Sequence, residues 1–235
     1  MIELFMPVMR PISALCTLED LACQSIRAVY KINLIDNCGG LNLQAHPLYF
    51  KFFELEIISS GKNIGTNAAW NLAWESNSEY VGFIGDDYRV SSDMVERMLV
   101  AFKLYPTAGA ITASILDDQT KGGFVPVNIE ELSGKKITGK GNMGFVIFKT
   151  NILKRFVPKI PKEFFVFYGD NWIGYWLSKA GKPLMLINAY ISHYHKTDLK
   201  ELVGYKDLLH REKRAWADWK EGRISLSGIK LSQNT

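Results

Sequence analysis

The stretch Glu79-Tyr80-Val81-Gly82-Phe83-Ile84-Gly85-Asp86-Asp87 joins a short apolar run to two adjacent acids. Its length and its bounding glycine predict a buried β-strand that ends in a turn. Adjacent carboxylates at the end of a buried strand repel each other and are costly unless a cation compensates them. A hard divalent cation such as Mg²⁺ or Mn²⁺ would do so and would keep coordination positions open for phosphate oxygens. A solvated turn or a helix N-cap is the simpler alternative for such a pair.

Strands and helices alternate on both sides of this stretch. The pattern predicts strands at 2–8, 32–36, 50–59 and 79–84 and helices at 13–30, 66–74 and 91–105. Such alternation indicates an α/β fold with a mostly parallel sheet and helices on both faces. Ligands of these sheets bind at the carboxyl ends of the strands, which is where Asp36, Asn63, Asp86 and Asp87 all fall.

The second half of the chain is less regular. Residues 117–141 are rich in Gly, Lys and Thr and predict a long loop, which in a compact domain is often functional. Beyond it we expect strands at 144–149 and 184–191, helices at 151–156 and 171–180, and a final helix whose apolar face is interrupted by Glu212. We therefore divide the chain into an α/β domain at 1–198 and a C-terminal helix and tail at 199–235 that pack on it.

Composition bounds the class of protein. The 235 residues, 47% of them apolar and 22% charged, suit one globular domain with its own core. No apolar run approaches the ~20 residues of a membrane span, and the apolar start of the chain lacks the basic region of a signal peptide. The three cysteines, Cys16, Cys23 and Cys38, form no CxxC pair and favour a reducing compartment over a disulfide framework. We expect a soluble, cytoplasmic protein.

Two further segments carry residues suited to chemistry. Asp170 follows the aromatic run 164–168 and a glycine, and an apolar surround would raise its pKa toward the range of a general base. A helix N-cap is its other candidate role, and one residue can fill both roles. His193 and His195 follow the last sheet strand, where a neutral imidazole would complete a metal site. They alternate along an extended chain, so one of them, His193 by preference, would face the metal, unless both are ordinary surface or core histidines.

These features occur in the order of a known family. The matching motifs are Leu4-Phe5-Met6-Pro7, Ile35-Asp36-Asn37, Asn63-Ile64-Gly65 with Asn71, Gly85-Asp86-Asp87, and Gly169-Asp170 with the helix to Gly181. Over residues 2–195 the sequence resembles the family-2-type inverting glycosyltransferases of the GT-A fold. The turn at 35–40 is similar to that of small virus-encoded members, some of which transfer sugar to hydroxymethylated bases of phage DNA.

The resemblance implies a role for each motif. Residues 1–116 would bind the nucleotide sugar, a UDP-sugar by preference, and residues 117–198 the acceptor. Five residues would form the nucleotide site: Asp36 at the base or ribose, Asp86 at the ribose or sugar, and Pro7, Lys62 and Asn63 along the pocket. Asp87 would hold Mn²⁺ or Mg²⁺ against the diphosphate, with His193 as the late ligand. Asp170 would deprotonate the acceptor hydroxyl, whose attack on C1 of the sugar inverts the anomeric centre.

The sequence departs from the family pattern around Asp170. Gly169 stands where the family usually has Glu, Trp172 where it has Asp, and Trp176 where it has Arg. Those positions shape the acceptor site in the family, so the resemblance does not identify the acceptor. Trp172, Tyr175 and Trp176 would form either a stacking platform for a sugar or base or part of the core.

The acceptor is either a glycan or hydroxymethylated DNA. Basic residues of the 117–141 loop and of the C-terminal tail would suit a DNA backbone: Lys121, Lys135, Lys136, Lys140, Arg211, Lys213, Arg214, Lys220 and Arg223. A nucleotidyltransferase is an alternative, but no glycine follows the first strand in Val8-Met9-Arg10-Pro11-Ile12-Ser13. A non-catalytic nucleic-acid-binding module is the other alternative, and it would leave Asp86, Asp87 and Asp170 without a role.

Overall fold

The computed structural model describes residues 1–41, 51–116, 132–137, 143–193 and 204–227. Within these ranges the strands are β1 (Ile2–Val8), β2 (Val29–Asp36), β3 (Glu54–Ser59), β4 (Tyr80–Ile84), β5 (Tyr88–Val90), β6 (Ala110–Leu116), β7 (Gly134–Ile137), β8 (Phe145–Lys149) and β9 (Leu184–His193). The helices are α1 (Pro11–Ala22), α2 (Thr66–Trp70), α3 (Met94–Leu104), α4 (Thr150–Phe156), α5 (Gly169–Lys179) and α6 (Tyr205–Lys220). A 3-10 helix at Asn71–Glu75 follows α2. None of the helices in these ranges is long and apolar enough to cross a membrane.

The described strands form one mixed sheet in the order β3-β2-β1-β4-β8-β6-β9-β5, with β7 paired to β9. The strands β3, β2, β1 and β4 are parallel neighbours. β8 joins this half to β6 by antiparallel pairing on both sides, while β6 and β9 are again parallel. The parallel arrangement expected from the alternating elements therefore holds for the first half, and the second half adds antiparallel strands.

Helices cover both faces of the sheet, as predicted. Alternate residues of a strand point to opposite faces, and β1 shows the result, because Leu4 and Met6 belong to one buried cluster and Phe5 to the other. The first cluster includes residues of α1 and α3. The second includes residues of α5 and α6, so the C-terminal helix packs on the domain through Trp219.

Two predicted helices are shorter than the sequence pattern indicates. The helix predicted at 13–30 ends at Ala22, and the chain then turns so that Val29 begins β2. The Gln24 side chain fixes this turn, because its amide donates to Ser91 and accepts from the N–H of Val95 at the start of α3. The helix predicted at 66–74 divides into α2 and the 3-10 helix. In both places tertiary contacts override the local apolar period.

Three strands were not predicted. β6 alternates Ile111, Ala113 and Ile115 with Thr112 and Ser114, a strand pattern that the sequence analysis did not use, and it pairs with β8 and β9. β5 is three residues long. β7 lies within 117–141, so that stretch is not loop throughout. Residues 117–131 and 138–141, with Lys121 and Lys140, lie outside the described residues, as does His195.

Candidate active site

The strands β1, β2 and β4 run parallel, so the segments that follow them meet at one edge of the sheet. These segments are Met9-Arg10 after β1, 37–41 after β2, and Gly85-Asp86-Asp87 after β4. Asp36, Asp86 and Asp87, three of the residues that the sequence analysis singled out, lie at this edge, together with Arg10, to which it gave no role.

Asp86 is almost fully buried, and its carboxylate holds the segment that follows β1. Its Oδ2 accepts the backbone N–H groups of Met9 and Arg10 at 2.7 Å each, and its Oδ1 accepts the Arg10 guanidinium at 2.8 Å. Both oxygens are therefore engaged within the protein. The contact of Asp86 with a ribose or sugar stays a prediction.

Arg10 is the residue that the sequence analysis missed. Its Nη2 lies 2.8 Å from Asp86 Oδ1 and 2.7 Å from Asp87 Oδ2, so one guanidinium compensates both buried acids. Fixed bidentate donors make arginine well suited to such a pair. A single basic residue directly after the first strand was the available signal.

The donor set fits a hard divalent cation at Asp87, whose carboxylate is the ligand type that Mg²⁺ and Mn²⁺ prefer. It does not fit one at Asp86, whose oxygens already accept three hydrogen bonds. His193 ends β9 directly opposite Tyr88, the residue after Asp87. This pairing brings the backbone of His193, the predicted late metal ligand, beside the Asp86-Asp87 pair, which we call the diacid. Among the described residues, no cluster of three or more His, Cys, Asp or Glu forms a ready metal site.

Asp36 organises the turn that follows β2. Its two oxygens accept hydrogen bonds from the amides of Cys38, Gly39, Gly40 and Leu41, from the Cys38 thiol and from the Ser59 hydroxyl. The amide of Gly40 and its neighbours hold the pKa of Asp36 well below its ordinary value. With its lone pairs used in this way, Asp36 shapes the turn, and its direct contact with a nucleotide stays a prediction.

The turn at Asn63-Ile64-Gly65 connects these segments. Asn63 is exposed, accepts the N–H of Gly65 at 2.8 Å, and lies 3.4 Å from the sulfur of Met9. The N–H of Ile64 donates to the Asn37 side chain at 3.0 Å. Lys62 is exposed beside this turn and Pro7 is buried in β1, so their places in the nucleotide pocket stay predictions.

The turn also reaches the loop at 164–168 that leads to Asp170. Asn67 donates its side-chain amide to the carbonyls of Phe164 and Phe167, at 3.1 and 2.9 Å, and its N–H to the carbonyl of Phe165. Gly65, the N-cap of α2, has a φ of 83°, and a Cβ there would lie 2.4 Å from the Phe165 carbonyl oxygen. Only glycine permits both the backbone conformation and this close approach.

Asp170 lies in the first turn of α5. The helix N-cap position belongs to Tyr168, whose φ of 64° is in the left-handed region, so the N-cap alternative for Asp170 is wrong. Such a conformation is uncommon outside glycine and often marks a functional segment. Burial raises the pKa of Asp170 to about 6, although its Oδ1 accepts the N–H of Asn171 at 2.8 Å. A carboxylate that titrates near neutral pH is suited to accept a proton.

For the aromatic residues of α5 the sequence left two alternatives, a stacking platform for a sugar or base and a place in the core, and the three residues do not all follow the same one. Trp172 is fully buried, donates to the Pro158 carbonyl at 2.9 Å, and packs against Trp219 with ring centroids 4.7 Å apart. It is a core residue. Tyr175 and Trp176 are half-buried and pack edge to face, so the stacking platform stays a prediction for these two.

Gly169→Ala tests how tightly Asp170 is positioned. A Cβ at Gly169 would lie 1.9 Å from Asn67 Oδ1, so we expect a loss of about 1–3 kcal/mol of stability from overpacking and a slower reaction. Gly174→Ala in the same helix is the matched control, because a Cβ there meets no atom within 4 Å. Thermal unfolding should show a lower Tm only for Gly169→Ala, and equal Tm values for wild type and Gly169→Ala would contradict the packing described here.

Comparison with known proteins supports the fold. No family model and no curated protein matches the sequence. S. aureus TarS 1–349 in complex with UDP matches 90% of this chain with a TM-score of 0.62 and 16% identity, and its complex with UDP-GlcNAc matches 90% with a TM-score of 0.61 and 14% identity. GalNAc-T7 with UDP, GalNAc and Mn²⁺ matches 99% with a TM-score of 0.66 and 11% identity.

The matched region is only part of each of these proteins. The chain covers 64% and 65% of the two TarS chains and 52% of the GalNAc-T7 chain, which is less than two thirds of their length. At such low identity the likeness concerns the fold. The mixed sheet with its two helical layers is therefore the GT-A fold found in these glycosyltransferases, as the sequence resemblance predicted.

Proposed function

We propose that this protein is an inverting, metal-dependent glycosyltransferase that moves a sugar from a UDP-sugar to an acceptor hydroxyl. The structural neighbours were solved with UDP, with UDP-GlcNAc, or with UDP, GalNAc and Mn²⁺, which supports a nucleotide-sugar donor. In this proposal the donor binds at the sheet edge that carries the diacid, which we call the diacid edge, and the acceptor binds beside Asp170.

The observation that carries the proposal is a continuous series of contacts from the diacid to Asp170. Asp86 binds the backbone of Met9, whose sulfur contacts Asn63 in the next turn. Gly65, the last residue of that turn, packs closely against Phe165, and Asn67 two residues later donates three hydrogen bonds to the loop that ends at Asp170. A candidate base and a candidate diphosphate site are thus fixed relative to each other, as a displacement reaction requires.

The reaction follows from these positions. The Asp170 carboxylate accepts the proton of the acceptor hydroxyl while that oxygen forms a bond to C1 of the sugar. The bond from C1 to the phosphate oxygen breaks, and the nucleotide diphosphate leaves with the electron pair. Attack on the face opposite to the leaving group inverts the anomeric centre. Lys62, exposed beside the Asn63 turn, would add positive charge near the diphosphate.

Asp87 and His193 would hold the divalent metal. When bound there, it supplies Lewis-acid stabilisation of the charge that grows on the leaving diphosphate. Arg10 pairs with Oδ2 of Asp87, so its guanidinium would compete with the metal for that carboxylate and would turn away if the metal took this oxygen. Its bond to Asp86 would keep the segment after β1 in place during that change.

Hydroxymethylated DNA, as in phage DNA modification, and a glycan are both candidate acceptors. The exposed side of α6 is basic and carries Lys206, Arg211, Lys213 and Lys220. The same helix packs against the loop that leads to Asp170. This positive charge favours DNA as the acceptor, because it would attract the phosphate backbone. Transfer to hydroxymethylated but not to unmodified DNA, with a rate that falls steeply with salt, would establish it; transfer only to sugars would establish the glycan.

A calorimetric titration tests the donor assignment. We expect micromolar binding of a UDP-sugar with Mn²⁺ and little or none after EDTA, with GDP- and dTDP-sugars as the comparison. Failure of all donors to bind would reject the proposal. A nucleotidyltransferase is less well supported, because the amides of Met9 and Arg10, which would face a phosphate after the first strand, donate to Asp86.

Asp87→Ala tests the metal assignment. We expect donor affinity in Mn²⁺ to fall at least about tenfold, to the level seen in EDTA, because the metal loses its carboxylate ligand. Folding should survive, since Arg10 keeps its bond to Asp86. Donor affinity that is the same in wild type and variant, with and without EDTA, would remove Asp87 from the metal site.

A further inference from the structure

Glu212 is an acid buried in the middle of the apolar face of α6. It is 0% exposed and lies between Tyr205 and Trp219, which point to the same side of the helix. An ionised carboxylate in such a place is costly unless it is hydrogen-bonded. Burial raises the pKa of Glu212, as expected for a carboxylate removed from water.

Its partners are the backbone amides of the loop that leads to Asp170. Oε1 accepts the N–H of Phe165 at 3.0 Å, and Oε2 accepts the N–H of Phe167 at 2.8 Å. The N–H of Val166 lies 3.4 Å from both oxygens. Three consecutive amides thus converge on one carboxylate, which comes from a helix 45 to 47 residues further along the chain.

The same loop is held from its other side by Asn67 of α2. Asn67 donates to the carbonyls of Phe164 and Phe167, whereas Glu212 accepts from the amides between them. The Trp216 ring, one turn beyond Glu212, stacks on Tyr168 with centroids 6.0 Å apart. The residue before Gly169-Asp170 is therefore fixed in its left-handed conformation by α2 on one side and α6 on the other.

We propose that Glu212 is a positioning residue for Asp170, and that α6 is thereby part of the catalytic apparatus rather than an accessory helix. The inference rests on the proposed function, in which Asp170 is the base. Glu212 does not touch the reacting atoms; it acts through the backbone at 165–167. Without its carboxylate, the amides of 165–167 lose their acceptor, and the loop must rearrange to give them other partners.

Glu212→Gln is the direct test, because it keeps the size of the side chain but leaves one acceptor oxygen for three amides. We expect kcat for sugar transfer, or for hydrolysis of the donor by water, to fall about 10- to 100-fold from misplacement of the base. Donor affinity should change less than about twofold, since the diacid edge is untouched. The pH at which kcat falls should move below its wild-type value, because a looser loop admits water to Asp170.

Glu221→Gln is the matched control. It makes the same change at an exposed position at the end of the same helix, where Glu221 pairs with Arg223 at the surface. It should leave kcat, donor affinity and the pH profile at wild-type values. Hydrogen exchange gives a readout independent of activity: the amides of 165–167 should exchange faster in Glu212→Gln and not in Glu221→Gln.

Specific outcomes overturn the proposal. One such outcome is a folded Glu212→Gln protein whose amides at 165–167 exchange faster but whose kcat equals that of wild type. Another is a variant that loses donor binding and sugar transfer to the same extent. If Glu212→Gln does not fold, Asn67→Ala loosens the same loop from α2 and must give the same selective loss of kcat. Failure of the proposed function is distinct from either result, because wild type itself would then bind no donor.

Discussion

Asp170→Asn is expected to abolish most sugar transfer and to leave donor binding intact. The amide keeps the shape of the side chain but cannot accept the proton of the acceptor hydroxyl. Loss of a general base costs typically about 10²- to 10⁴-fold in rate, so we expect kcat to fall in that range. Calorimetry should give a Kd for the UDP-sugar within about twofold of wild type, because a base that acts on the acceptor contributes little to donor affinity.

The pH dependence of wild type follows from the same carboxylate. Its pKa of about 6 means that transfer should fall as pH decreases through that value and the base becomes protonated. Stability changes in the opposite sense. The folded-state pKa lies above the ordinary 3.8, so the protonated form favours folding, and this contribution is lost as pH rises from about 4 to about 6.

Asp170→Asn should therefore be more stable than wild type at pH 7.5 and equally stable below pH 4. Denaturant unfolding at the two pH values measures both differences. A folded variant that loses donor binding and transfer equally would remove Asp170 from the role of base. A stability gain that persists unchanged at pH 4 would show that the carboxylate is not the cause.

Arg10→Met is expected to give the largest loss of stability. Methionine keeps the apolar part of the side chain but leaves two carboxylates, whose side chains are 4% and 6% exposed, without the guanidinium. Removal of one partner from a buried ion pair typically lowers the free energy of unfolding by about 3–5 kcal/mol. Because Arg10 is partly exposed, we expect a loss at the lower end, about 3 kcal/mol. Urea unfolding at low ionic strength would measure it.

Arg223→Met is the control for this substitution, since Arg223 pairs with Asp218 at the surface and should contribute at most about 1 kcal/mol. Mn²⁺ gives a second test. If Asp87 is a metal ligand, the ion replaces the lost positive charge and should raise the Tm of Arg10→Met by more than that of wild type. An Arg10→Met protein as stable as wild type would show that Arg10 is not the counter-ion of the diacid.

Much of the fold was predictable because local sequence carries it. The apolar runs at β1, β2 and β4, each closed by a turn, predicted buried parallel strands whose ends carry the polar residues. The aromatic run before Gly169-Asp170 likewise predicted a carboxylate in an apolar surround, and its pKa of about 6 agrees with that expectation. β6 was missed although its sequence carries the signal, because Ile111, Ala113 and Ile115 alternate with Thr112 and Ser114 as in a half-buried strand.

The sequence by itself determined the alternation of elements, the presence of the diacid at a strand end and the acid at the start of α5, because spacing along the chain is enough to place these features. The tertiary structure alone decided how each acid is compensated. Arg10 meets Asp86 across 76 residues, and Glu212 meets the 165–167 loop across 45 to 47 residues. Pairings between residues so far apart in the sequence depend on how whole helices and strands pack, and no local periodicity encodes them.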